Sequence, residues 1–229
     1  MFRYVIFDLD GTLLNTLEDL ADAGNWVCRQ NGWPEHRYEE YRYFVGRGIR
    51  SLVNALIPPQ RCTEEAAETA LDQFVRRYER HKEDKTRPYE GVAELVQTLN
   101  QAGISTAVLT NKPHAVAVEV MEHYFPGLFS QVQGAKDGIA LKPDPGALND
   151  LLHGMGAVGE QTLFVGDSDV DMETANNGGL ASCGVLWGFR SGGELLAAGA
   201  DYLAETVEEL GALILGTDSY ALGGRADGN

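Results

Sequence analysis

The sequence predicts an α/β fold, a doubly wound parallel sheet interrupted by an inserted helical module. Three observations carry this. The chain opens on a short apolar run, Tyr4-Val5-Ile6-Phe7, that ends in acidic residues, the pattern of a strand buried on both faces. From about Arg87 onward, short β-favouring runs alternate with segments of helical period, as parallel βαβ units require. Between the two, residues 16–87 keep the helical period alone.

Taken in order, the first strand runs directly into Asp8-Leu9-Asp10-Gly11-Thr12. On extended backbone, residues two apart point to one side, so Asp8 and Asp10 share a site. Gly11 permits a sharp turn and close approach of a ligand to the backbone. A helix then starts at Leu17-Glu18-Asp19, with Thr16 as its expected N-cap. Leu17, Leu20, Ala21, Gly24, Val27 and Cys28 share one face, and Gly32 and Pro34 end it. A second helical stretch holds Tyr41, Phe44 and Val45. A third, from Ile49 to Ile57, stops before Pro58-Pro59. A fourth follows Thr63, with Glu64 and Glu65 suiting the helix dipole and Ala67, Leu71, Phe74, Val75 and Tyr78 on its apolar face.

Beyond Pro88, Val92, Leu95, Val96 and Leu99 mark a helix closed by Gly103, and a strand runs from Ser105 to Thr110. Pro113, as a first-turn proline, opens a helix to Tyr124. Gln131 to Gly134 is a weak strand, and Leu148, Leu151, Leu152 and Met155 mark a helix. Gln161 to Val165 is a strand entering Gly166-Asp167. Cys183 to Trp187 and Asp201 to Leu203 are further strands, and Thr206 to Leu215 is the last helix. Residues 217–229, rich in Gly, Asp and Ala, are expected to form a mobile tail.

The 229 residues suffice for one generous domain or two small ones. A formal net charge of −16 argues against binding nucleic acid or anionic membranes. It leaves anionic small molecules open, because a local metal ion and lysine outweigh the global field. Cys28, Cys62 and Cys183 lie far apart with no CxxC spacing, which suits a reducing compartment. The first apolar run is too short for a signal peptide, and no stretch approaches the ~20 apolar residues of a spanning helix. A soluble cytoplasmic protein, monomer or homodimer, is expected. The five histidines show no HxH or HxxxH spacing, so zinc is not expected.

Two like charges about 4 Å apart repel by roughly 4 kcal/mol at an effective dielectric of 20. Asp8 and Asp10 therefore need a metal ion, a lysine or a raised pKa. Later segments offer partners at strand ends, where open α/β sheets place their chemistry. Leu109-Thr110-Asn111-Lys112 offers a hydroxyl and amides for a phosphate oxygen. Lys142-Pro143-Asp144-Pro145 offers a lysine. Gly166-Asp167-Ser168-Asp169-Val170-Asp171 adds carboxylates. Each piece alone has an ordinary explanation as a turn, a surface lysine or a helix cap. Together they give every charge a partner.

These motifs in this order resemble the haloacid dehalogenase superfamily, and within it the phosphoglycolate phosphatase-like branch. The resemblance spans about Phe2 to Leu215. It is carried by Asp8-Leu9-Asp10-Gly11-Thr12-Leu13-Leu14-Asn15-Thr16, by Val165-Gly166-Asp167-Ser168-Asp169-Val170-Asp171-Met172 and by Val185-Leu186-Trp187-Gly188-Phe189-Arg190. It implies a Rossmann-like catalytic core, residues 1–15 and 88–216, with an inserted α-helical cap, residues 16–87, that closes over the site. It also implies Mg²⁺-dependent hydrolysis of a small phosphorylated metabolite through an aspartyl-phosphate.

In that scheme Asp8 is the nucleophile, and Asp10 is first acid and then base. Thr110 and the Asn111 amide hold the phosphoryl group, and Lys142 neutralises nucleophile and phosphate. Mg²⁺ takes Asp8, the Asp10 main-chain carbonyl and Asp167. Asp171 acts indirectly, through a water or Lys142, and Asp169 is either a site residue or a surface carboxylate. Asp10 sets the chain apart from the dehalogenases, which lack it, and Thr12 from the β-phosphoglucomutases. Asn15 stands where many relatives carry Asp.

The segment Val45-Gly46-Arg47-Gly48-Ile49-Arg50 resembles the branch's glycine-bearing cap loop, so Gly46 is expected to present backbone to the substrate. Arg47 either meets a second anionic group, such as the carboxylate of 2-phosphoglycolate, or is a solvated arginine. The resemblance makes 2-phosphoglycolate the first candidate substrate. A sugar phosphate, amino-sugar phosphate, nucleotide or pyrophosphate is the alternative. A non-catalytic phosphate-sensing or partner-binding protein would be marked by loss of Asp8, Asp10, Lys142 or Asp167, and all four are present.

Overall fold

A computed structural model of the chain describes residues 2–217. Apart from Thr217, the tail expected over 217–229 lies outside the described residues. In chain order the elements are β1 (Tyr4–Phe7), β2 (Leu14–Asn15), α1 (Leu17–Asn31), α2 (Tyr38–Phe44), α3 (Ile49–Leu56), α4 (Glu64–His81), β3 (Arg87–Pro88), α5 (Val92–Gln101) and β4 (Ser105–Pro113). There follow α6 (His114–Tyr124), β5 (Gln131–Ala135), α7 (Gly146–Met155), β6 (Thr162–Gly166), α8 (Asp169–Asn177), β7 (Ala181–Val185), α9 (Gly192–Ala197), β8 (Tyr202–Ala204) and α10 (Val207–Leu215).

Six strands make one parallel sheet in the order β5-β4-β1-β6-β7-β8. The apolar run of β1 belongs at its centre, because both its faces are covered. Val5 and Phe7 pack with Val108 of β4, Val165 of β6 and helices α5, α6 and α10. Ile6 points the other way, with Ala107, Leu109 and Phe164, onto α7 and Ala175 of α8. Full burial of each such large side chain contributes about 2 kcal/mol. The chain lays β4 and β5 on one side of β1 and β6 to β8 on the other. The strand order therefore reverses at β1, where such sheets leave a crevice at their carboxyl ends.

Helices α1 to α4 pack around a separate apolar cluster. Leu20, Val27 and Cys28 of α1 meet Tyr41 of α2, Leu52 and Leu56 of α3, and Phe74 and Tyr78 of α4. The two chain crossings into this module pair with each other. β2 and β3 form a two-stranded antiparallel ribbon, with Leu14 opposite Pro88 and Asn15 opposite Arg87. The buried Asp19 carboxylate ties the crossings together, accepting from Thr86 N and Thr86 Oγ1 at 2.8 Å each and from Lys85 N at 3.0 Å.

Four local expectations change. Thr16 precedes α1, but its hydroxyl makes no cap and is buried without a partner, because its backbone is not extended as side-chain capping requires. Pro113 ends β4 and stands before α6 rather than inside its first turn. β7 lies two residues earlier than the run Cys183 to Trp187, because its pairing with β6 and β8 uses Ala181 and Ser182. Two short helices that lack an apolar period, α8 and α9, are held by capping boxes, Ser168 with Asp171 and Ser191 with Glu194.

Asp19→Ala strips the buried Thr86 N–H and hydroxyl of their acceptor. Urea unfolding should show a loss of about 2 kcal/mol or more, whereas Asp19→Asn, which keeps an acceptor oxygen, should lose less. Equal stability of Asp19→Ala and the parent would refute the tie.

Candidate active site

Sheet register brings the acidic segments together. Phe7 is level with Val108 on one side and Val165 on the other, so Asp8, Thr110 and Asp167 emerge at the same sheet edge. The chain turns directly after β1: Leu13 N and Leu14 N both donate to Leu9 O at 3.0 Å, and Gly11, at φ 93°, sits in the turn.

Lys142, 5% exposed, lies between two carboxylates. Its Nζ donates to Asp8 Oδ1 and Asp171 Oδ1 at 2.7 Å each, and to Leu109 O at 3.1 Å. Burial disfavours its charge, yet Asp171 and Asp8 together hold its pKa above the ordinary lysine value. The other oxygen of Asp171, Oδ2, accepts from Asp167 N, Ser168 N and Ser168 Oγ at the start of α8. Asp171 is thus fully engaged and orients Lys142. Asp8 Oδ2 has no hydrogen-bond partner among the described residues.

Asp167 is 1% exposed and accepts only neutral donors, Thr12 Oγ1 at 3.2 Å and Phe189 N at 2.8 Å. Among the described residues no lysine, arginine or histidine pairs with it. Its carboxylate fills a cradle of absent side chains. A Cβ on Gly11 would lie 2.3 Å from Asp167 Oδ2, and one on Gly188 would lie 2.2 Å from Asp167 Cβ. Burial first, then Asp171 and Asp8, push its pKa well above the usual carboxylate value. Burial likewise pushes Asp8 up to about 7, against the pull of Lys142.

Oxygens of Asp8, Asp167 and Asp171 lie within 4.8 Å of one another. Three carboxylates facing one lysine leave negative charge uncompensated in a buried place, which fits a hard cation with oxygen ligands. With Asp171 engaged, Asp8 and Asp167 are the carboxylates with oxygen to offer it.

Above these residues a cavity of about 280 Å³ opens between the sheet edge and helices α1, α3 and α4. Asp8, Asp10, Thr110, Asn111 and Gly46 line it. Thr110 Oγ1 accepts from Lys112 N at 3.2 Å, which leaves its own proton to donate. The Asn111 side chain is spent on structure: it donates to Gly46 O and Lys142 O and accepts from Lys142 N. Its main-chain N–H is then the group it has left for a ligand.

Arg47 does not line the cavity. Its guanidinium pairs with Asp169 Oδ2 at 2.6 Å, half exposed, on the outside of the module. Asp169 thus faces an arginine of the module instead of the carboxylate cluster.

Sequence reasoning left Lys112 and Tyr78 without a role. Lys112 Nζ donates to Asp10 Oδ1 at 3.0 Å, to Asp10 Oδ2 at 3.2 Å and to Tyr78 OH at 2.8 Å, and it is buried. Burial opposes its charge, but Asp10 and Tyr78 hold its pKa above the ordinary value. The signal for Lys112 was its place two residues after Thr110 at a strand end. Tyr78 gave none beyond its apolar-face position on α4.

The sequence matches the haloacid dehalogenase-like hydrolase family over residues 5–185. A Vibrio parahaemolyticus protein named phosphoglycolate phosphatase is 32% identical over 214 residues, covering 91% of this chain and 94% of that one. One of the same name from Pseudomonas syringae pv. tomato is 34% identical over 196 residues, 83% of this chain and 71% of the other. Among solved structures, one from Lactobacillus delbrueckii subsp. bulgaricus, provisionally called a phosphoglycolate phosphatase, superposes with a TM-score of 0.89. It is 31% identical and covers 93% of this chain and 98% of its own. The chain belongs to the haloacid dehalogenase-like hydrolases and is phosphoglycolate phosphatase-like among them.

The raised carboxyl pKa values give a pH signature. A carboxyl whose pKa is higher folded than unfolded binds its proton more tightly in the fold, so its contribution is present below about pH 4 and is lost as pH rises through the folded value. For Asp8 that window runs from the ordinary 3.8 to about 7, and Asp167 shifts in the same direction. A divalent cation replaces the protons, so Mg²⁺ should raise the melting temperature more at pH 8 than at pH 5.5. Equal shifts in thermal melts at both pH values would contradict this.

Proposed function

We propose that this phosphatase is a Mg²⁺-dependent phosphomonoester hydrolase that works through an aspartyl-phosphate on Asp8, with 2-phosphoglycolate as its substrate. The observation that carries the reading is the buried group of Asp8, Asp167 and Asp171 around Lys142, beside a cavity with room for a small phosphorylated metabolite. The names of the relatives support the choice of substrate.

In the first half-reaction Asp8 Oδ2 attacks phosphorus, the ester P–O bond breaks, and the leaving oxygen takes a proton from Asp10. Lys142 holds the other oxygen of Asp8, which fixes the carboxylate in place. The Thr110 hydroxyl and the Asn111 main-chain N–H donate to the transferring phosphoryl oxygens. In the second half-reaction Asp10 takes a proton from water as its oxygen attacks phosphorus. The P–O bond to Asp8 breaks, and phosphate leaves with Asp8 restored as a carboxylate. Asp8, the Asp10 main-chain carbonyl and Asp167 would hold Mg²⁺, which would supply the positive charge that a dianionic phosphate needs to approach an anionic carboxylate. Asp171 orients Lys142 and takes no part in the bond changes.

The division into a catalytic core, residues 1–15 and 88–216, and a cap, residues 16–87, belongs to this proposal. It is supported by the separate apolar cluster of α1 to α4 and by the paired ribbon at its base. The cap excludes water during the first transfer and admits it for the second. Gly46 presents backbone to the substrate from the cap side, while Arg47 is assigned to the contact between cap and core. A cytoplasmic location and independence from nucleic acid and membranes accord with three unpaired cysteines and the net charge of −16. No helix among the described residues is long and apolar enough to cross a membrane.

Phosphate release from 2-phosphoglycolate and a panel of other phosphomonoesters tests the reading. Turnover should require Mg²⁺ and stop in EDTA. Asp8→Asn should lower it on the order of 1,000-fold or more. An Asp8→Asn protein that keeps full turnover would end the covalent mechanism.

A further inference from the structure

The cavity wall facing the leaving group is poor in charge. Leu20, Val45, Ile49, Leu52, Phe74 and Val116 make up much of it. Glu79 is the one charged side chain that the helices of the module add. Arg47, the candidate for a second anionic group, pairs with Asp169, and Arg50 pairs with Glu64 and Glu68. Neither lines the cavity. A carboxylate entering this space leaves water for a largely apolar wall, which is costly unless a donor or cation receives it.

We infer that Lys112, with Tyr78, receives that carboxylate, and so makes the site selective for phosphate esters of small α-hydroxy acids. Lys112 is the only lysine or arginine among the described residues that lines the cavity. Its Nζ lies 3.0 Å from Asp10 Oδ1, the carboxyl that serves the ester oxygen. A carboxylate on the carbon next to that oxygen falls beside Lys112, whereas one carried further along the leaving group would sit among the apolar side chains. Tyr78 adds the second donor. Its hydroxyl oxygen accepts a hydrogen bond from Lys112 at 2.8 Å, and its own proton has no acceptor among the described residues. A buried donor without an acceptor is costly, and a ligand oxygen satisfies it. The ammonium would then give up its longer contact, 3.2 Å to Asp10 Oδ2, and bridge Asp10 and substrate.

This inference rests on the phosphatase reading and adds the recognition of the leaving group. The test compares kcat/KM for 2-phosphoglycolate with that for 2-hydroxyethyl phosphate, in which a neutral CH₂OH replaces the carboxylate. The parent enzyme should prefer 2-phosphoglycolate. Lys112→Met should lose about 10- to 100-fold of that preference, largely through KM, and Tyr78→Phe about 5-fold. Tyr78→Phe keeps the test decisive if Lys112→Met fails to fold. Arg47→Ala should leave the ratio between the two esters unchanged.

Two results would overturn the inference. One is a fall in both esters by the same factor, which would make Lys112 a holder of Asp10 alone. The other is an unchanged preference in the variants, which would assign the carboxylate to the backbone of residues 46–49. Loss of Mg²⁺ dependence, or an active Asp8→Asn enzyme, would instead strike the phosphatase reading.

Discussion

Lys142 holds two buried carboxylates at 2.7 Å each, and a third, Asp167, lies within reach of both. An ion pair so deeply buried offsets its desolvation only when most of its remaining polar atoms are satisfied, and here Asp8 Oδ2 is left open among the described residues. The surrounding structure follows from that requirement. The start of α8 supplies the donors for the far oxygen of Asp171. Thr12 and the chain at Phe189 supply those for Asp167. The parallel sheet contributes the register that brings residues 134 positions apart into one hydrogen bond. The excess negative charge that remains suits a hard cation with oxygen ligands.

The parallel sheet was legible because most of its strands are short apolar runs that alternate with helices, whereas the order of its strands came from the structure. Asp8, Asp10, Lys142 and Asp167 were legible as a set, since each stands at a strand end or just before a helix. Other parts depend on pairing that no local window displays. β2 and β3 are two residues each and exist only because the crossings of the module meet. α8 reads as a polar loop, Asp-Val-Asp-Met-Glu-Thr-Ala-Asn-Asn, until its capping box is seen. Lys112 and Asp10 are 102 positions apart, and the short motif around Lys112 points to phosphate rather than to a carboxylate. From its sequence Arg47 stays open between a substrate contact and a solvated arginine, and its pairing with Asp169, 122 positions away, is of the same hidden kind.

The helical module touches the rest of the chain through two unlike sets of contacts. On its outer side Arg42 donates to Gly188 O, Arg190 donates to the carbonyls of Arg42 and Val45, and Arg47 pairs with Asp169. Ion pairs at exposed positions such as Arg47 and Asp169 contribute little net stability and weaken with salt. On its inner side Tyr78 meets the buried Lys112. There Lys112 links one hydroxyl of the module to the carboxylate of Asp10.

Gly11 and Gly188 are 177 positions apart, and the space that both leave empty is filled by Asp167. Neither glycine has a side chain that could bind, donate or react. Yet the smallest addition at either would displace the carboxylate, and the added atom would have nowhere else to go. A mutational survey of this enzyme will therefore score these two silent positions beside the buried carboxylates. Ranking residues by sensitivity would then mistake the mould for the casting. What separates them is the kind of damage: a missing carboxylate leaves a well-formed hole, whereas a filled glycine leaves a well-formed carboxylate in the wrong place.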